Sequence, residues 1–247
     1  MIYFNMLKKK LLSLIDKIFY FLYEKDKILL IKELKKYDKD FKTIFDIGAH
    51  KGQYTDLFLS HLKTKRLLLI EPIEALFFKL KKKYKSKAYI KIFRYIAGSK
   101  NKINFINKTY HTRSSSCMDQ NNRSIYYNLK RILIPNSDTA IEKMKEVKLD
   151  NFIKTYPKVD LMKIDTEGYE LNVLKGCRRY FAEKRVKFLF IEVLNHNLYK
   201  NYSKEKIHNF LIKNKYSLIK TFKSRLTFSE DRLYILNSLK QKFNVKH

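Results

Sequence analysis

Two stretches of the 247-residue chain carry residue types whose order suits chemistry. In the first, Ile44-Phe45-Asp46-Ile47-Gly48-Ala49-His50-Lys51-Gly52, an apolar run ends in an acid and then in a glycine turn. Gly48 lets the backbone approach a ligand closely, and Gly52 lets a following helix pack its first turn on the strand. A dinucleotide fingerprint needs G-x-G-x-x-G, whereas the spacing here is G-x-x-x-G with an acid two residues ahead, which disfavours a pyrophosphate. An acid at that strand end suits a ligand carrying positive charge, such as the ammonium or sulfonium of S-adenosylmethionine. Glu71 closes the next apolar run, where a carboxylate can accept both hydroxyls of a ribose.

The second stretch is Asp160-Leu161-Met162-Lys163-Ile164-Asp165-Thr166-Glu167-Gly168-Tyr169-Glu170. Lys163 and Asp165 alternate with Met162 and Ile164, so they share one face of a strand, and Gly168 allows a sharp turn into the next helix. A lysine beside an acid is often only a salt bridge. At a strand terminus next to the glycine loop, however, Asp165 and Glu167 are candidate catalytic groups. Glu192, read as the end of the following strand, and His196, in the loop beyond it, can reach the same crevice. A base among Asp165, Glu167, Glu192, His196 or His111 could take the proton of a bound nucleophile and would contribute ~10²–10⁴-fold. A divalent metal bridging two acids could do the same. With the ligands spread over three separate segments, none is expected.

Both stretches need a parallel sheet to bring them together. From residue 41 onward short apolar runs alternate with amphipathic segments, the pattern of repeated βαβ units. Strands are expected over 43–48, 66–71, 88–97, 159–165 and 186–193, and helices over 53–62, 73–84, 169–183 and 203–215. Strands over 216–223 and 231–237, separated by a short polar turn, read as a closing hairpin, so that a mostly parallel sheet ends in one antiparallel strand. Between 99 and 147 the pattern is weaker, with a candidate strand over 102–108, a polar loop over 111–123 and a candidate helix over 125–133. Ligands bind at the carboxyl ends of such strands.

Composition bounds the rest. Forty-five per cent hydrophobic content with five Gly and three Pro excludes disorder and low-complexity character. Two cysteines without C-x-x-C spacing exclude a disulfide framework and suit a reducing, cytoplasmic setting. The net charge of +30 points toward an anionic partner, yet 44 of the 54 basic residues are Lys, spread along the whole chain, whereas phosphate recognition by planar forks prefers Arg. An AT-rich coding sequence gives the same composition. Near the start, Lys8-Lys9-Lys10 precede apolar residues at helical spacing, so 6–23 read as an amphipathic helix and 27–37 as another. The first either packs on the main domain or, through residues 1–24, touches an anionic membrane peripherally.

Taken together the motifs resemble the FkbM family of S-adenosylmethionine-dependent methyltransferases, over roughly residues 41–238. Asp46-Ile47-Gly48-Ala49 with Gly52 is similar to its cofactor loop, and Glu71-Pro72 to its second-strand acid. Ala97-Gly98-Ser99 is similar to the turn holding the adenine edge, followed by a short strand ending in Phe105. Leu149-Asp150, the string Lys163 to Glu170, Leu174-Lys175-Gly176 and Ile191-Glu192-Val193 recur in the family's order, and the Lys-Ile-Asp-x-Glu-Gly-x-Glu string is the most specific. The resemblance implies an α/β fold of the Rossmann-like class I methyltransferase type, a doubly wound, mostly parallel seven-stranded sheet with an antiparallel terminal strand. It divides the chain into an N-terminal amphipathic helical segment (1–40), a methyltransferase domain (41–238) and a basic tail (239–247). It also implies S-adenosylmethionine as cofactor, bound by Asp46, Gly48, Ala49, Gly52, Glu71, Ala97 and Gly98, and methyl transfer to a sugar hydroxyl of a glycan or glycolipid. Two competing readings stand beside it. One is an RNA-modifying methyltransferase using the basic surface, with Tyr126, Tyr127, Lys130 and Arg131 as its patch. The other is an inactive membrane-associated interaction protein, against which the intact loop and acids count.

Overall fold

The computed structural model describes residues 27–38, 40–108, 115–118, 121, 140–195, 199–223 and 229–240. The expected helices over 6–23 and 125–133, most of the polar loop and the basic tail beyond Lys240 lie outside them. Cys117 and Cys177 are both free thiols. No helix among the described residues is long and apolar enough to cross a membrane.

A seven-stranded sheet forms the centre. Its strands are β1 (Thr43–Ile47), β2 (Arg66–Ile70), β3 (Ile90–Phe93), β7 (Val159–Ile164), β8 (Val186–Leu194), β9 (Tyr216–Lys223) and β10 (Ser229–Leu236), in the spatial order β3-β2-β1-β7-β8-β10-β9. All neighbours are parallel except β10, which runs antiparallel to both β8 and β9. Every residue of β1 and β7 is buried, as expected for central strands covered on both faces, and this explains their nearly unbroken apolar sequence. From β1 the chain winds outward through β2 to β3, then returns to β7 on β1's other side. The order therefore reverses between β1 and β7, the switch point at whose carboxyl ends such sheets bind their ligands.

Two apolar layers sandwich the sheet. On one face, Phe45 packs edge-on against Tyr156 and Tyr180, with ring centroids 5.4 and 5.9 Å away. The other face carries Ile44, Leu67, Leu161 and Phe188 against the helix over residues 27–37 (α1), α2 (Gln53–His61) and α3 (Glu74–Lys83). Leu30 and Leu34 of α1 are fully buried there, so this helix is part of the folded core.

Several expectations need correction. The strand expected over 88–97 is two strands: β3 stays in the main sheet, while Ile96–Ala97 (β4) joins a second sheet of order β4-β6-β5. Its other members are β5 (Lys102–Lys108), which runs past Phe105, and β6 (Ala140–Val147). β6 was not expected. Its sequence AIEKMKEV has no apolar alternation, because its inward positions include the polar Glu146 as well as Met144. The helix expected over 169–183 is also divided, into α4 (Glu170–Lys175) and α5 (Arg178–Ala182). Asp150 restarts it by accepting from the backbone N–H groups of Arg179 at 3.1 Å and Tyr180 at 3.3 Å, as an N-capping carboxylate does. Finally, Glu192 lies within β8 rather than at its end.

Candidate active site

Two glycines shape the loop after β1. Gly48 has φ +77, and a Cβ there would lie 1.8 Å from the Asp165 carbonyl oxygen. Only glycine lets the ends of β1 and β7 approach this closely. Gly52 has φ +76 and abuts the Tyr84 hydroxyl, which donates to the Gly52 carbonyl at 3.0 Å. Gly52 is expected to let the start of α2 pack on the strand; a Cβ there would meet Leu80 and Tyr84, at the end of α3.

Lys163 ties this loop to the second stretch. Its Nζ donates to the Gly48 carbonyl at 2.7 Å and lies 3.3 Å from both Asp46 Oδ1 and Asp165 Oδ2. The carbonyl accepts a hydrogen bond and the two carboxylates form ion pairs with the ammonium. Burial disfavours the charge, but Asp165 and Asp46 outweigh it and hold the pKa above the ordinary lysine value. Asp46 is fully buried, and its other oxygen accepts from the Thr55 hydroxyl at 2.6 Å. The cation that Asp46 meets is therefore Lys163, and its direct work is to brace the loop.

Glu71 stands at the end of β2. It accepts from the backbone N–H of His50 at 2.8 Å and of Ile73 at 2.9 Å, one on each oxygen. Its burial pushes the carboxyl pKa up to about 7. Each oxygen keeps a lone pair for a hydroxyl donor. Beside it, the Gly48 and Ala49 N–H groups donate to the Ile70 carbonyl at 3.0 and 3.1 Å. Ala97 ends β4, and the Gly98 N–H donates to the Val147 carbonyl at 2.9 Å. An acid with free lone pairs beside a loop with glycine at both ends is an acceptor set that fits a nucleoside-bearing cofactor.

Three carboxylates meet beyond Lys163. Asp165, Glu167 and Glu192 each present an oxygen within 4.8 Å of the others, all partly exposed, and these are the residues among the described part of the chain that could together hold a divalent ion. Burial, then the charges of Asp165, Glu167 and Asp231, push Glu192 well above the usual carboxylate range. Burial and the neighbouring like charges thus favour the protonated form of Glu192. Ser229 donates to Glu192 Oε1 at 2.9 Å and fixes its orientation. Glu167 adopts φ 52, a left-handed conformation uncommon outside glycine, and its carbonyl accepts from the Ser116 hydroxyl at 2.6 Å.

Glu170 holds that turn from below. One of its oxygens accepts from the Thr166 N–H, the Thr166 hydroxyl and the Gly168 N–H, each at 3.0 Å. Its role was signalled only by its place in the motif string. Other contributors carry no sequence signal. Asp231 faces Glu192 across the β8–β10 pairing, and the Tyr54 hydroxyl lies 3.4 Å from it. His196 and His111, the imidazole candidates, lie outside the described residues.

The family described as the methyltransferase FkbM domain matches residues 46–218. No curated protein matches the chain by sequence. Among solved structures, the chain is similar to a methyltransferase FkbM from Methylobacillus flagellatus KT, with TM-score 0.52 and 19% identity over 80% of this chain and 44% of that one. It thus spans less than half that protein's length. A magnesium protoporphyrin IX methyltransferase from Synechocystis PCC 6803 with bound SAM has TM-score 0.49 and 9% identity, covering 87% of this chain and 79% of that one. An S-adenosylmethionine-dependent methyltransferase from Clostridium acetobutylicum ATCC 824 has TM-score 0.47 and 11% identity, covering 87% and 92% respectively.

Proposed function

The chain belongs to the FkbM methyltransferase family, and from that premise we propose that it transfers a methyl group from S-adenosylmethionine to a hydroxyl of a sugar in a glycan or glycolipid. The observation that carries this reading is the convergence of Asp165, Glu167 and Glu192 within 4.8 Å, next to a loop built for a nucleoside. S-adenosylmethionine supplies an electrophilic sulfonium methyl. Glu71 takes the ribose hydroxyls, while the backbone at Gly48, Ala49 and Gly52 and the turn at Ala97 and Gly98 line the rest of the cofactor site. Lys163 couples that loop to Asp165, so that cofactor and base are held on one rigid support.

The acceptor oxygen must be held in line and must lose its proton. Positioning supplies much of the acceleration. Asp165, with Glu167 and Glu192 beside it, would take the acceptor's proton as the C–O bond forms and the methyl–sulfur bond breaks, leaving the cofactor as a neutral thioether. A carboxylate pair sharing one proton suits this task, because one member accepts while the other limits the charge that builds up. The cluster's oxygen-rich chemistry also suits a divalent ion, which would lower the hydroxyl pKa at the same place.

Calorimetry with S-adenosylmethionine tests the cofactor assignment. Glu71→Ala should weaken binding at least roughly tenfold, because two charge-assisted hydrogen bonds, each contributing ~1.5–3 kcal/mol, are lost. In the wild type, affinity should fall as pH drops through about 7, where Glu71 takes up its proton, and Glu71→Gln should flatten that dependence. Unchanged affinity in Glu71→Ala, or tighter binding of a nicotinamide dinucleotide, excludes the assignment. A methyl-transfer panel of glycans, glycolipids and RNAs then identifies the acceptor.

A further inference from the structure

The β5–β6 pair carries an outer face that the proposed chemistry does not use. Cross-strand partners project to the same side of a sheet, and the register sets Ile103 opposite Lys145, Phe105 opposite Lys143 and Asn107 opposite Ile141. Ile103 is 53% exposed, Phe105 55% and Ile141 67%, and both lysines are exposed. The inward positions Ile106, Met144 and Glu146 are buried, so the strand pair is amphipathic in an unusual sense: apolar residues occur on both faces. Three of the large exposed apolar side chains thus share one small surface interleaved with positive charge.

We propose that this face docks on the surface of an anionic phospholipid bilayer. Ile103, Phe105 and Ile141 enter the headgroup–acyl boundary, while Lys143 and Lys145 pair with lipid phosphates. Charge complementarity favours this occupant, since a face flanked by lysines on a chain of net charge +30 repels a second copy of itself. Single-stranded nucleic acid is served less well. Stacking of successive bases needs several rings, and the face offers Phe105 with two aliphatic residues. The position is apt as well. The far end of β5 bridges to Ser116, whose hydroxyl holds the Glu167 carbonyl, so the docked surface adjoins the carboxylate cluster.

Vesicle co-sedimentation of the full chain tests this without reference to methyl transfer, so its outcome is separate from that of the enzymatic reading. Wild type should bind phosphatidylglycerol/phosphatidylcholine vesicles, bind phosphatidylcholine alone weakly, and lose binding with added salt. Lys143→Gln with Lys145→Gln should weaken binding roughly twenty-five-fold, at about fivefold per lysine. The triple variant Ile103→Ser, Phe105→Ser, Ile141→Ser should weaken it at least roughly tenfold, with melting temperature and S-adenosylmethionine binding unchanged. Should the triple variant fold poorly, the lysine pair decides alone. Absence of wild-type binding overturns the proposal. So does binding that persists in the variants, for instance through residues 1–24. Tighter binding to a single-stranded RNA oligonucleotide than to vesicles overturns it, as does conversion of a wild-type dimer to a monomer by the triple substitution.

Discussion

Asp165→Asn should abolish turnover on the true acceptor, a loss of ~10²–10⁴-fold if this carboxylate is the base, while S-adenosylmethionine affinity stays within a few-fold. Asn keeps the shape of the side chain and can still accept from Lys163, whose other bonds to Gly48 and Asp46 are untouched. The glycine loop therefore keeps its support, and only the proton acceptor is removed. Glu192→Gln should also be slow, because the amide cannot share a proton with Asp165, although Ser229 can still donate to its oxygen. A chelator distinguishes the two modes of deprotonation. Activity lost on chelation and restored by a divalent ion assigns metal-assisted chemistry to the cluster, and indifference assigns a protein base. Wild-type rates in both variants would leave these acids as supports of the strand ends.

The second large effect concerns the fold. Lys163→Met should lower the melting temperature by roughly 6–20 °C, taking ~3–5 kcal/mol for breaking a buried ion pair and ~2–4 °C per kcal/mol at this chain length. Methionine matches the volume of the lysine stem but leaves Asp46, fully buried, facing no cation. The sign with pH is the same in the two proteins, but the window differs. Lys163 has a raised pKa, so its stabilisation is fully present below the ordinary lysine value and is lost only as pH rises through the raised one; between pH 6 and 9 the wild type keeps all of it. The variant should regain stability as pH falls, because a buried orphan carboxylate is relieved by protonation. Thermal melts at several pH values check both trends. A variant as stable as wild type would show that the Lys163 contacts are dispensable to the fold. Cofactor affinity should weaken in the same variant, since the Gly48 carbonyl loses its donor.

The parts of this protein that depend on local sequence were readable from it. An apolar run ending in an acid and a glycine turn specifies a strand and the loop after it, so β1, its glycine loop and the strand end at Glu71 were legible. Period alone puts Lys163 and Asp165 on one side of the chain; Asp165 lies one residue beyond β7, and their charged atoms come within 3.3 Å. What each group meets was settled only by packing. Asp46 reads as an acid awaiting a cationic ligand, yet the fold supplies Lys163 from a strand more than a hundred residues away. Gly48 reads as room for a ligand, yet the closest atom to its missing Cβ is the Asp165 carbonyl oxygen. β6 was invisible because its alternation is of charge rather than of hydrophobicity, and the Ser116, Ser229 and Asp231 contacts have no local signature. Sequence determines such elements through period, turn chemistry and propensity, which act over a few residues. Partners are decided by sheet order and register, which bring together segments whose separation along the chain carries no information about their distance in space.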